Sequence, residues 1–398
     1  LAKSSSDWVK RVSSPEQITQ CASDAWKAAN ESPGNIATLV VPADYAWSDI
    51  QSDLPKKVEL NNRKSVDNKL IEAAYKLLLK PNSMLYLGGK FLDEECLKFA
   101  GQIATKTGCR LVTDTFVSRI RRGAGLPIVQ QVPYFSEMAE DFLQGTESIV
   151  FIGTKPPVSF FAYPDKKSFL SPDEAELFEL CSVEENGYEA LALLSELSGS
   201  PKIAHELIRP YIADVPTSGD LDIITLGPLI ADIMPEESIV SDESATSSLI
   251  VTPHVLQAKP HDWLALTGGS IGQGLPLAIG ASIAKPDRPV ITLHGDGGAM
   301  YTVQALWTQA RENLNITNII FSNRSYEILK IELDRVQAVE TGERAASMFS
   351  MDNPPIDWVN LAESMGVQGY KSKTVKEFKD VFSKSVDESG PSLIEIEI

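Results

Sequence analysis

Short apolar segments of strand length alternate with longer segments of helical spacing over most of this chain, and this alternation restricts the fold more than any other feature of the sequence. Strands that are separated by helices pair in parallel and need helices on both faces of the sheet. The sequence therefore predicts an α/β fold built from doubly wound parallel sheets. The predicted strands are 36–41, 84–87, 110–113, 148–153, 239–240, 290–294, 317–321 and 392–398.

Two polar stretches divide the chain into three parts. Residues 46–66 are mixed in charge and residues 201–221 are interrupted by prolines, so both are predicted linkers. They set apart a central α/β domain at 67–200 and a second α/β domain at 222–398. Residues 1–45 hold one predicted helix and one predicted strand, which is too little for a separate domain.

The composition excludes several classes of function. A net charge of −18 leaves no basic surface for nucleic acid or for an anionic membrane. No segment reaches the roughly 18 to 20 apolar residues of a membrane span, and the N-terminus lacks an apolar signal core, so we expect a soluble intracellular protein. The four cysteines show no CxxC or zinc-finger spacing, which favours reduced thiols in the core. Small molecules and other proteins remain as partners.

The segment Gly295-Asp296-Gly297-Gly298-Ala299 directly follows an apolar strand and precedes a helical pattern at 305–310. Its glycines let the backbone turn tightly and approach a ligand closely. A helix N-terminus at this point would favour an anion such as a phosphate. On its own, the segment is equally compatible with a structural turn between a strand and a helix.

A second polar segment, Asn323-Arg324-Ser325, follows the next apolar strand. The chain between Asp296 and Asn323 has room for one helix and one strand, and a right-handed crossover would bring both residues to the same edge of the sheet. A carboxylate, an amide oxygen, a backbone carbonyl, two phosphate oxygens and a water form the octahedral oxygen set that Mg²⁺ prefers. The two segments together therefore predict a Mg²⁺ and phosphate site.

The pair formed by Gly295-Asp296-Gly297 and Asn323 resembles the diphosphate and Mg²⁺ motif of thiamine diphosphate enzymes. Within this superfamily, the resemblance is to the branch of acetolactate synthase and benzoylformate decarboxylase. It extends to residues 267–276, which are similar to the family's segment beneath the cofactor, and to residues 238–246, which are similar to the strand and loop before it.

The resemblance covers residues 222–398 over their whole length, as a diphosphate-binding domain, and the central domain more weakly. Residues 1–45 resemble only the tail of the pyrimidine-binding domain, which carries the family's catalytic glutamate, and no residue of this chain matches that glutamate. Family active sites form between two subunits, so the resemblance implies a homodimer or homotetramer. We expect this chain alone to bind cofactor poorly and to turn over little, with the missing part belonging to a longer native protein or to a separate partner.

The resemblance implies roles for individual positions. Asp296 and the Asn323 side chain, with the Ser325 carbonyl, would hold Mg²⁺. Ile271 would support the bent cofactor, and the Gly269 carbonyl would accept a hydrogen bond from its amino group. The positions expected at the diphosphate are Thr246, Ser247, Gly295, Gly297, Gly298, Ala299, Tyr301 and Tyr326.

The sequence also departs from the family pattern. Gly298 stands where many members have a serine that bonds the diphosphate, and residues 328–333 lack the tryptophan that acetolactate synthases place there for the second substrate. Residues 153–156 replace the arginine-containing segment of FAD-binding members, so FAD is not expected. Glu332 lies on a predicted helix, where it would either face the substrate or, as is usual for a charged side chain on a helix, be solvated; we expect it to be solvated. No role is predicted for the histidines His205, His254, His261 and His294.

The implied activity is decarboxylation of a 2-oxo acid followed by carboligation, as in acetolactate synthase. Two alternatives stay open: a decarboxylase of the benzoylformate type that releases an aldehyde, and a non-catalytic or regulatory subunit or fragment that keeps the cofactor site. A dinucleotide-binding module is disfavoured because no GxGxxG follows the first strand of any region.

Overall fold

The computed structural model describes residues 1–51, 55, 58–202, 207–210, 215–336 and 342–398. It confirms the predicted fold class, because helices cover parallel sheets in both large parts of the chain. The predicted linkers fall partly outside the described residues, and His205 falls wholly outside them. None of the helices in the described ranges has the length and apolar character needed to cross a membrane.

The N-terminal part forms a small unit in which one helix packs on two parallel strands. These are β1 (Trp8–Arg11), β2 (Ala37–Val40) and α2 (Ile18–Asn30). Strand β1 was not predicted, because its two basic residues interrupt the apolar pattern. The short helices of this unit are α1 (Ala2–Ser5), a 3₁₀ turn at Pro15–Gln17, and α3 (Ala43–Ala46).

The middle part alternates strands and helices as predicted. Its strands are β3 (Ser83–Leu87), β4 (Arg110–Thr113), β5 (Ile120–Arg122), β6 (Gln130–Gln131), β7 (Ser148–Ile152) and β8 (Glu176–Cys181). Its helices are α4 (Asn68–Leu78), α5 (Glu94–Thr107), α6 (Ser136–Leu143) and α7 (Gly187–Ser198). Within the described residues, five strands form a parallel sheet in the order β6-β4-β3-β7-β8. The four cysteines, all in described ranges, are buried and form no disulfide.

The C-terminal part contributes six strands to a larger sheet. They are β9 (Ile239–Glu243), β10 (His261–Ala265), β11 (Val290–Gly295), β12 (Ile316–Ser322), β13 (Gln368–Ser372) and β14 (Ser392–Glu397). Its helices are α8 (Ile223–Ile233), a 3₁₀ turn at Ala245–Ser247, α9 (Ser248–Val255), α10 (Gly274–Ala284), α11 (Asp296–Ala299), α12 (Ala305–Arg311), α13 (Glu327–Arg335), α14 (Glu343–Ser347), α15 (Trp358–Ser364) and α16 (Val375–Asp387). In the described part of the chain the sheet order is β13-β14-β12-β11-β9-β10-β5. The C-terminal ends of β9, β11 and β12 therefore meet at one edge.

Strand β5 joins the two large parts, because it leaves the middle part and pairs antiparallel with β10. Its Arg122 is buried, with the guanidinium 3.6 Å from the centre of the Trp263 ring. Burial lowers the pKa of Arg122, and the negative charge of Asp242 opposes that effect. This pairing was not predicted, because the two strands lie far apart in the chain and β5 is only three residues long.

His261, on β10, makes stability depend on pH. Burial, and next the Arg122 guanidinium, lower its pKa to about 3, and its Nδ1 lies 2.8 Å from the Lys259 carbonyl oxygen. Below about pH 6.5, the ordinary pKa of histidine, His261 is protonated in the unfolded chain but stays neutral in the folded chain. Stability therefore falls as the pH falls. From pH 7.5 to pH 5 we expect a loss of about 2 kcal/mol from this group. In urea titrations, His261→Asn should lose less stability over that window, and an unchanged pH profile would contradict the assignment.

Candidate functional site

The glycine-rich turn after β11 buries its aspartate. Asp296 is 3% exposed, and its two carboxylate oxygens accept the N–H groups of Gly297, at 2.9 Å, and Arg324, at 2.8 Å. The helix predicted to follow directly is interrupted: α11 ends at Ala299 and α12 begins at Ala305. In between, the Thr302 hydroxyl donates to the Gly272 carbonyl at 2.6 Å, so the chain is held against a neighbouring loop instead of continuing as a helix.

The second polar segment lies at the same edge of the sheet. Strands β11 and β12 are parallel neighbours in which Gly295 pairs with Phe321, so Asp296 and Asn323 leave adjacent strands side by side. The Asn323 side-chain oxygen accepts the N–H of Ser325 at 2.9 Å, and Arg324 has a left-handed backbone with φ 52°. The Arg324 side chain pairs with Asp352 and Glu397. Its charge is therefore committed away from Asp296.

The buried Asp296 carboxylate accepts two backbone N–H groups but has no cationic side chain paired with it in the described residues. Burial raises the pKa of Asp296 above its ordinary value, although the N–H groups of Arg324 and Gly297 favour the ionised form. Among the described residues, it forms no ion pair, and no cluster of three His, Cys, Asp or Glu residues could hold a metal alone. A cation at this point would draw further ligands from amide or backbone oxygens, from water or from a bound phosphate, which is the donor set that Mg²⁺ accepts.

A glycine loop, residues 267–274, connects β10 to α10 beside this turn. Gly268, Gly269 and Gly272 all have positive φ, at 63°, 65° and 94°, so the loop follows a path that other residues rarely adopt. The Gly269 carbonyl accepts the N–H of Ile271 at 2.9 Å, and the Ile271 side chain is 52% exposed. The loop thus presents an apolar side chain at the surface of the site.

The other predicted positions surround these two segments. Thr246 and Ser247 lie on the 3₁₀ turn after β9, with Ser247 buried and Thr246 partly buried. Tyr326 packs against the glycine turn, since a Cβ atom at Gly297 would lie 2.7 Å from its ring. Tyr301 is exposed and lies against the glycine loop, where a Cβ atom at Gly272 would lie 2.7 Å from Cβ of Tyr301.

Two buried residues behind the glycine loop were not predicted. Glu243 ends β9, and His294, for which no role was predicted, lies opposite it on β11. The Glu243 carboxylate accepts the N–H groups of Gly272 and Gly274 and lies 3.2 Å from Nε2 of His294. Burial alone would raise the pKa of Glu243, but the imidazole and the two N–H groups outweigh it and hold the pKa below its ordinary value. The available sequence signal was a titratable side chain near the end of each strand, Glu243 on β9 and His294 on β11.

A loop of the middle part that contains Phe160 and Tyr163 covers the glycine loop. A Cβ atom at Gly269 would lie 3.3 Å from the Phe160 ring, and the Tyr163 hydroxyl donates to Glu332 on α13. The expectation that Glu332 is solvated is wrong: its side chain is 19% exposed, and its Oε1 is buried without a partner in the described residues. The rings packed here, apart from Tyr163, are Phe116, Tyr134, Phe135, Phe160 and Phe161.

Thr154 and Asp114 contact each other at the strand ends of the middle sheet. In a doubly wound sheet, a nucleotide binds where the strand order reverses, which here is between β3 and β7. A Cβ atom at Gly88 would lie 2.5 Å from Cβ of Thr154, and the Thr154 hydroxyl donates to Asp114 at 2.7 Å. The same carboxylate accepts the Tyr86 hydroxyl at 2.8 Å. An anionic phosphate would meet a carboxylate there.

Comparison with known proteins connects this site to a cofactor. Residues 244–396 match the model of the C-terminal TPP-binding domain of thiamine pyrophosphate enzymes, thiamine pyrophosphate being the same compound as thiamine diphosphate. A Mycobacterium tuberculosis protein named for an acetolactate synthase large subunit, IlvX, is 38% identical over 405 residues, which cover 100% of this chain and 76% of that protein. Benzoylformate decarboxylase of Pseudomonas aeruginosa is 27% identical over 205 residues, 52% of this chain and 38% of that protein.

The fold is shared with solved structures. A thiamine diphosphate-dependent 4-hydroxybenzoylformate decarboxylase of Rhodococcus jostii superposes with a TM-score of 0.81 at 23% identity, over 98% of this chain and 76% of that one. Benzoylformate decarboxylase of Polynucleobacter necessarius gives the same TM-score at 20% identity, over 99% of this chain and 76% of that one. The arrangement of both large sheets is thus a known one.

Proposed function

The chain belongs to the thiamine pyrophosphate enzyme family, and on that premise we propose that it is a thiamine diphosphate- and Mg²⁺-dependent enzyme acting on 2-oxo acids. The proposed reaction is loss of CO₂ followed by carboligation, which the name of the M. tuberculosis relative suggests. One observation carries the proposal: Asp296 is a buried carboxylate without an ion-pair partner in the described residues, next to Asn323 and the glycine turn. A divalent cation fits that position.

The ligands fit Mg²⁺ in kind and in charge. The Asp296 carboxylate, the Asn323 amide oxygen and the Ser325 carbonyl would hold the metal, with diphosphate oxygens and water completing its coordination. Thr246, Ser247 and the N–H groups of the glycine turn would contact the diphosphate. When bound, thiamine diphosphate supplies the electron sink for loss of CO₂ from a 2-oxo acid.

The glycine loop supplies the other half of the site. The exposed side of Ile271 would lie against the cofactor. Binding would then remove from water an apolar surface that is exposed in the free chain. The Gly269 carbonyl, which accepts one hydrogen bond from Ile271, keeps a second lone pair for the cofactor's amino group. The Phe160 ring over Gly269 would keep water from this side of the site. The Asp114 carboxylate and the close approach of Thr154 to Gly88, at the point where the strand order reverses, support an enzyme without FAD.

A second candidate, decarboxylation of an aromatic 2-oxo acid with release of an aldehyde, is favoured by a different observation. The aromatic rings beside Gly269 offer an apolar environment with the edge-to-face packing that aromatic substrates prefer. Residues 328–333 also lack the tryptophan expected for a second substrate. The benzoylformate decarboxylase relative supports the same alternative.

The test is a calorimetric titration of the purified chain with thiamine diphosphate, in Mg²⁺ and in EDTA, followed by product analysis. Weak but saturable binding in Mg²⁺ alone is the expected result, and no binding in either buffer would contradict the proposal. The loaded protein then receives pyruvate or benzoylformate. An acetohydroxy acid or 2-hydroxy ketone identifies a carboligase, and an aldehyde equal in amount to CO₂ identifies a decarboxylase. Binding without release of CO₂ would identify a non-catalytic subunit or fragment.

A further inference from the structure

The pair of Glu243 and His294 fixes the backbone of the glycine loop from behind. The two residues face each other across neighbouring parallel strands, and both are buried. The two oxygens of Glu243 accept the N–H groups of Gly272 and of Gly274, the latter at 2.7 Å. A carboxylate that takes two backbone N–H groups forms strong, directional bonds.

The pair also connects the glycine loop to the glycine turn. Nε2 of His294 lies 3.2 Å from Glu243, and Nδ1 lies 3.0 Å from the Gly295 carbonyl oxygen, immediately before Asp296. The loop is held from its other side by the Thr302 hydroxyl, which donates to the Gly272 carbonyl. Gly272 is therefore anchored through both its N–H and its carbonyl.

The space around the pair explains the departure at Gly298. A Cβ atom at Gly298 would lie 2.9 Å from Oε1 of Glu243 and 3.0 Å from Cε1 of His294, and a Cβ atom at Gly274 would lie 2.7 Å from Cδ2 of His294. Real Cβ atoms essentially never lie closer than 3.0 Å to another atom, so the approaches of 2.9 Å at Gly298 and 2.7 Å at Gly274 would force a neighbour to move. A serine at 298 would therefore displace the pair. With histidine at 294, only glycine fits at 298.

We propose that Glu243 and His294 are a positioning pair that holds the glycine loop in the conformation in which Gly269 and Ile271 meet the cofactor. The pair holds the loop in the free chain, so this part of the proposal does not depend on a cofactor. The effect of the pair on cofactor binding rests on the proposed function. Glu243 and His294 themselves stay behind the loop and are positioning residues, not catalytic ones.

The first experiment is backbone amide hydrogen exchange, read by mass spectrometry on the peptide that covers residues 267–276. Glu243→Gln keeps the shape but can offer only one oxygen, so we expect that peptide to exchange about tenfold faster or more in the free chain. The matched control is Glu395→Gln, which changes a buried glutamate of the same sheet that pairs with Lys371 and does not contact the loop. Equal exchange of the peptide in Glu243→Gln and in the unmodified chain would overturn the proposal.

The second experiment is a double-mutant cycle on positions 294 and 298, read as loop exchange and as thiamine diphosphate affinity in Mg²⁺. Gly298→Ser should raise loop exchange and weaken affinity about tenfold or more in the unmodified chain, and clearly less in a His294→Ala background, where Glu243 has room to move. Effects that simply add would contradict the coupling. If the unmodified chain binds no cofactor, the proposed function fails, while the exchange data on the free chain still decide whether the pair holds the loop.

Discussion

Replacement of Asp296 by alanine is expected to weaken Mg²⁺-dependent binding of thiamine diphosphate by roughly a hundredfold or more. Asp296 is the buried carboxylate at the proposed metal position, and the neighbouring ligands, Asn323 and the Ser325 carbonyl, are uncharged. Without it the metal would enter a buried site with no protein charge to offset its own. Titration calorimetry in Mg²⁺ measures the loss directly.

Two further variants separate charge from shape. Asp296→Asn keeps the volume and one acceptor for the N–H groups of Gly297 and Arg324 but removes the charge, so it should lose nearly as much affinity as the alanine variant. Asp380→Ala, an exposed position on α16, should bind as the unmodified chain does. Binding that stays equally tight in EDTA and in Asp296→Asn would show that no metal is held here.

Replacement of Trp358 by alanine is expected to lower the free energy of unfolding by about 3 to 5 kcal/mol. Trp358 begins α15, is 0% exposed, and packs in a core cluster with Leu275, Ala299 and Ile320. Its removal leaves a cavity beside Leu275, at the start of α10 after the glycine loop, and beside Ala299, at the end of α11 in the glycine turn. Chemical denaturation followed by circular dichroism measures the change.

Trp307 offers a matched control for this substitution. It lies on α12 and is 52% exposed, and the guanidinium of Arg311 lies 5.2 Å from its ring centre. Trp307→Ala should cost about 1 kcal/mol or less, because little apolar surface leaves water at this position. Equal losses in the two variants would mean that the cluster around Trp358 does not support the site.

The meeting of Asp296 and Asn323 could be predicted from the sequence. Each residue directly follows an apolar strand, and the handedness of parallel crossovers leaves one arrangement of two such strands. The positions of Asp296 and Asn323 depend on local sequence patterns and on the right-handed crossover, which nearly every parallel sheet of this kind follows. The same patterns predicted β11, β12 and β14 to within one residue at each end, but they ended β9 three residues too early and missed β10 and β13.

Three features near the site were not predicted, and each has a specific physical reason. Glu243 and His294 meet because β9 and β11 are neighbours in the sheet, although β10 and two helices, α9 and α10, separate them in the chain. Strand β5 pairs with β10 across an even longer separation, and its three residues are too few to show a pattern. The break between α11 and α12 depends on a hydrogen bond from Thr302 to a loop that is distant in sequence.

The sequence by itself determined the α/β fold class, the glycine turn and the chemistry of its oxygen ligands, because apolar periodicity, glycine content and side-chain type are local properties. The tertiary structure decided which groups lie behind and above the site: the Glu243–His294 pair, the room for glycine alone at 298, and the aromatic rings over Gly269. These contacts depend on which strands are neighbours and on how side chains share a fixed volume. Close packing sets them jointly across the chain, so no single segment carries the information.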